Sequence, residues 1–95
     1  IIFNAPVAGE RYSEIAAAAG LPCASFAQPQ AVEGLIAAIE ELRQHIGIVR
    51  GLGGAGVDRG MLHALAVDAA ADPCLVTNPR PARVADLEAL YESAI

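Results

Sequence analysis

Three prolines within ten residues, Pro73, Pro79 and Pro81, constrain this chain more than any other feature of its sequence. Each lacks a backbone N–H, and each biases its predecessor away from the helical region. The stretch Asp72-Pro73-Cys74-Leu75-Val76-Thr77-Asn78-Pro79-Arg80-Pro81 therefore reads as a rigid, extended connector rather than a helix. Apolar residues at helical spacing flank it on both sides. It gathers a thiol (Cys74), a hydroxyl (Thr77), an amide (Asn78) and a guanidinium (Arg80) between two helices, which makes it the first place to look for a site.

The rest of the chain supplies those helices and two more. From about Ala8 to Ala19 the positions Tyr12, Ile15, Ala16 and Ala19 form one helical stripe, and Gly20 offers a left-handed stop. Leu21 to Gln28 reads as a connector. The next helix has the clearest pattern: Val32, Leu35, Ile39, Leu42 and Ile46 step by three and four, and Ile36 widens the stripe. Pro29 suits its first turn and Gly47 its end. Gly34 inside it costs about 1 kcal/mol against alanine, which close approach of another helix would justify. Asp58 is placed to cap a third helix, with Leu62 as the staple partner of Val57 and Met61, Leu62, Leu65, Ala66 and Ala69 as its buried face. A fourth, about Arg83 to Ala94, buries Val84, Leu87, Leu90, Tyr91 and Ala94, although Arg83 cannot accept N–H bonds as a cap side chain should. Ile1 to Pro6 reads as the tail of a preceding element. The fold expected is all-α, a small helical bundle of about four helices forming a single domain over residues 1–95.

Hydrophobic residues make up 55% of the sequence, but much of this is alanine, and aromatics reach only 4%. Alanine packs helices closely while burying little apolar area, so the core should be thin and in need of neighbouring protein. A net charge of −5 argues against nucleic acid, whose phosphates require clustered Lys and Arg. Neither a membrane span nor a signal peptide is written in the sequence, which makes a cytoplasmic protein the expectation. Cys23 and Cys74 have no CxxC partner, so no disulfide framework or zinc site is indicated.

Gly51-Leu52-Gly53-Gly54-Ala55-Gly56 is a literal GxGxxG, following Ile48-Val49. Binding of a dinucleotide needs a strand long enough to anchor the turn and an acid about 20 residues on for the ribose. Gly47 and Arg50 cut the first apolar run short, and the next, Cys74 to Thr77, ends in Asn78. The motif reads better as a flexible loop between helices. His45 and His63 sit on separate helices with no second ligand at metal spacing. Ser13, Ser25, Thr77 and Ser93 make no triad-like pattern with either histidine. No set of residues in the chain supports a complete reaction.

Asp72, Cys74, Asn78, Pro79, Arg80 and Tyr91 fall in an order that resembles the C-terminal end of the iron-containing (group III, metal-dependent) alcohol dehydrogenases. The resemblance extends along the chain through Phe3-Asn4-Ala5-Pro6, Glu10-Arg11-Tyr12, Leu42 with Gly47-Ile48, and Gly56-Val57. It covers that family's final segment, which implies a C-terminal fragment of a larger chain. What it implies for activity is hydride transfer between NAD or NADP and a primary alcohol or aldehyde, assisted by a divalent metal, usually iron. The family's metal is held by one Asp and three His, and none of those positions matches a residue here. By the resemblance the metal and nicotinamide sites lie upstream of Ile1, and this segment by itself is expected to bind neither.

Cys74 is the one candidate site residue. Its spacing to Asn78 aligns it with a family position that lines the substrate pocket beside the nicotinamide, as a wall rather than a nucleophile. A small, inert thiol chosen for size is the competing reading, and both stay open. The partner implied is a small alcohol or aldehyde substrate, bound through the upstream domain, with no nucleic acid and no membrane; assembly as a homo-oligomer stays open, since the sequence does not give an oligomeric state. Two alternatives remain: a maleylacetate reductase, which shares the fold, and a free-standing helical interaction module.

Overall fold

A computed structural model describes residues 1–48 and 51–95. Val49, in the apolar run before the glycine-rich stretch, and Arg50, which cuts that run short, lie outside the described residues. Among those described, every regular element is helical: four α-helices, α1 (Ala5–Ala18), α2 (Gln28–His45), α3 (Leu62–Ala70) and α4 (Val84–Glu92), joined by short 3-10 turns. The all-α expectation holds. None of these helices is long and apolar enough to cross a membrane. The chain divides into two compact units, Ile1–Val49 and Arg50–Ile95.

In the first unit, α1 begins earlier than its periodicity suggests. Ile2–Asn4 forms a 3-10 turn, and Asn4 and Ala5 both donate to the Ile1 carbonyl at 2.9 Å. Pro6 therefore opens the helix instead of closing an upstream element, because the first turn has no use for the N–H that proline lacks. Gly20 ends α1 with φ of +70°, as its position implied. Leu21 donates back to Ala16 and Gly20 to Ala17, each at 3.0 Å, which completes a Schellman closure. The end of α2 repeats this arrangement: Gly47 has φ of +82°, and Ile48 donates to Arg43 at 2.9 Å.

Between α1 and α2 the expected connector carries a 3-10 turn, Pro22–Ser25. That turn inserts Cys23 into the core, where it packs with Ala16 and Leu35 against Tyr12, Leu21 and Ala24. The neighbour of Gly34 is this cysteine and not another helix, which corrects the sequence reading. Helical periodicity identifies an apolar face, but it does not measure how much of that face a partner covers. Val32 and Leu35 are buried, whereas Ile39 and Leu42 farther along α2 and Ile46 at its C-cap are 44%, 57% and 59% exposed. Ile15 and Ala19, expected to be inward, are also exposed, and Ala8 is buried instead. On the outer face Glu40 and Arg43 pair at 2.6 Å, as their spacing predicts.

In the second unit α3 packs against α4. Asp58 does act as a cap, accepting from the Gly60 N–H at 2.7 Å, but it caps a 3-10 turn, Arg59–Met61, that leads into α3. Leu62 and Ala66 are buried, Leu65 and Ala69 half-buried, while Met61 is exposed. On α4, Val84, Leu87 and Tyr91 are half-buried, and Leu90 and Ala94 face outward against expectation. The start of α4 is better supported than Arg83 alone would allow. Asp86 accepts from the Arg83 backbone N–H at 2.9 Å, the reciprocal half of a capping box. That bond holds the Asp86 carboxyl below the usual carboxylate range. Among the described residues, the buried hydrophobic ones (Ala8, Ala16, Cys23, Ala31, Val32, Leu35, Leu62 and Ala66) include no aromatic side chain, so the core is thin.

Candidate functional site

The proline-rich stretch is not extended throughout. Pro73–Thr77 forms a 3-10 turn, with Pro73 at its first position, and the backbone becomes extended again at Asn78. This corrects the expectation of a continuous extended connector. Proline is excluded from a helix interior but tolerated in a first turn, where its fixed φ is already suitable. Pro79 and Pro81 then prevent the turn from growing into α-helix.

Asp72 organises this turn. Its Oδ1 accepts from the Cys74 backbone N–H at 2.7 Å, and its carbonyl accepts from Leu75 at 3.0 Å. The first of these bonds draws the Asp72 carboxyl below the usual carboxylate range. Thr77 closes the other side, its Oγ1 donating to the Cys74 carbonyl at 3.0 Å. Asn78 Nδ2 donates to the Arg80 carbonyl at 2.5 Å, tying down the segment that follows. Sequence reasoning passed over Asp72 as a cap, although an Asp immediately before Pro at the start of a turn was the signal that could have identified it.

Cys74 is thus anchored on both its N–H and its C=O while its side chain is exposed. Val76, two residues on, is 87% exposed, an unusual position for so apolar a group. Beside the turn is a cleft of about 350 Å³ whose lining includes Asp72, Pro73, Leu75, Val76, Asn78 and Pro81; Cys74 flanks this cleft without lining it. Cys23, the other thiol, is buried in the first unit, and both cysteines are free.

Among the described residues, the remaining candidates are held within their own units. His45 closes α2 in the first unit, whereas His63 on α3 sits 3.2 Å from Glu88 of α4 in the second. No three His, Cys, Asp or Glu side chains converge among the described residues. Ser13, Ser25 and Ser93 donate to local carbonyls at 3.1, 3.3 and 2.7 Å, as hydroxyls satisfied within their own turns. The glycine-rich stretch forms a 3-10 turn, Gly53–Ala55, closed by Gly56 at φ of +93°. It is anchored and not merely a loop, because the Leu52 N–H donates to the Ala94 carbonyl at 2.8 Å.

The all-helical fold agrees with what comparison with known proteins finds. Residues 1–95 match the model of the Fe-containing alcohol dehydrogenase family, C-terminal part. The chain belongs to that family, a family of alcohol oxidoreductases. It is similar to the lactaldehyde reductase of Escherichia coli (strain K12), with 33% identity over 92 residues covering 97% of this chain and 24% of the relative. The lactaldehyde reductase of Escherichia coli O157:H7 is similar to the same degree. NAD-dependent methanol dehydrogenase of Bacillus methanolicus is 31% identical over 93 residues, 98% of this chain and 24% of that protein. The chain thus spans about a quarter of the length of these relatives.

Proposed function

We propose that residues 1–95 act as the C-terminal helical domain of an NAD(P)-dependent, iron-dependent dehydrogenase that moves hydride between nicotinamide and a small primary alcohol or its aldehyde. The observation that carries this reading is the family match along the whole chain. The names of the relatives, a lactaldehyde reductase and an NAD-dependent methanol dehydrogenase, support small alcohols and aldehydes over maleylacetate as substrates. In the family the metal is held by one Asp and three His, and none of those positions matches a residue of this chain. Metal and nicotinamide are accordingly assigned to other parts of the protein, and no chemical step is assigned to these residues.

What this domain contributes is shape. Cys74 is assigned to the wall of the whole enzyme's substrate cleft, a different space from the cleft beside the turn, which it does not line: its small side chain is held at a fixed position by the Asp72 and Thr77 bonds to its backbone. A wall residue needs no activating base. We place the protein in the cytoplasm, in keeping with two free cysteines.

The test begins with the natural protein that carries these residues, purified and weighed intact against the 9.7 kDa of this sequence. It is then supplied with ferrous iron and assayed for reduction of NAD and NADP by primary alcohols, and for the reverse reaction with aldehydes. Turnover that disappears on metal chelation and returns with iron is the expected result. Absence of turnover with any primary alcohol or aldehyde and either nicotinamide would overturn the proposal.

A further inference from the structure

We draw no further inference here: the strongest candidate, the exposed apolar stripe of Ile39, Leu42 and Ile46 along the C-terminal half of α2 and its C-cap, is an unpartnered helix face, and nothing in the structure shows what covers it.

Discussion

Cys23 occupies the space into which a side chain on Gly34 would project, so that a β-carbon at Gly34 would overlap both Cβ and Sγ of the cysteine. Glycine is usually a poor choice inside a helix, by about 1 kcal/mol against alanine. Here it allows the Pro22–Ser25 turn to approach α2 and close the core over Ala16 and Leu35. Gly34→Ala should therefore destabilise the protein by about 1 to 2 kcal/mol, because overpacking against a backbone-anchored atom outweighs the gain in propensity. Urea unfolding reads this directly. An unchanged or raised midpoint would mean that the turn moves away from α2 without penalty.

Gly51 presents a second close approach. A β-carbon there would lie 2.6 Å from the Ala94 carbonyl oxygen, the acceptor of the Leu52 N–H. Gly51→Ala should detach the glycine-rich segment from the end of α4. The measurement is amide hydrogen exchange at Leu52, expected to rise at least about tenfold as local opening becomes easier. Protection equal to that of the parent protein would refute the anchoring role.

The Asp58 cap is tested by removing its oxygen. Asp58→Ala leaves the Gly60 N–H without its partner and should cost about 1 kcal/mol, while Asp58→Asn should retain most of that. Thermal melts of the two variants side by side distinguish a hydrogen-bond effect from a charge effect. Equal losses in both would point to charge instead.

Acid should weaken the turns that Asp72 and Asp86 support. Both carboxyls are held below their ordinary value of 3.8, each mainly by a backbone N–H bond, to Cys74 and to Arg83 respectively. A depressed folded-state value means that the stabilisation is complete above the unfolded-state value and is lost as pH falls through the folded one. Stability should thus be level near neutrality and decline below about pH 4. In Asp72→Asn and Asp86→Asn this acid decline should be shallower in a series of melts against pH. A slope unaltered by both substitutions would mean that other carboxylates set it.

Cys74 tests the proposed function itself. Its side chain is exposed, so Cys74→Leu should leave unfolding stability within about 0.5 kcal/mol. In the active enzyme the added bulk should lower kcat/KM for longer primary alcohols by about tenfold, with less effect on the smallest. If chain-length preference is the same in the variant and its parent, the thiol is inert structure and the wall assignment fails.

Much of the local architecture was legible in the sequence. The helix ends at Gly20 and Gly47 could be read because only a residue without a β-carbon takes φ of +70° or +82° at no cost. The interruption at Pro73 was legible because proline cannot continue a helix, and the order Asp72, Cys74, Asn78, Pro79, Arg80 and Tyr91 carried the resemblance to the family. Less legible was the turn within the connector. A proline rule that forbids helix interiors says little about first turns, and the same oversight hid the role of Pro6 at the start of α1.

By itself, then, the sequence determined the helical class and the main stops, because each rests on backbone preferences over a few residues, and the kinship, because that is a resemblance in the order of residues along the whole chain. Tertiary structure alone decided which apolar faces were covered. Ile39, Leu42 and Ile46 continue the stripe of Val32 and Leu35 without interruption, yet the first three are exposed and the last two buried. It also decided that Cys23, eleven residues before Gly34, is the group that makes a glycine necessary there. Periodicity records the direction in which a side chain points from its own helix, whereas burial depends on what other elements bring to meet it.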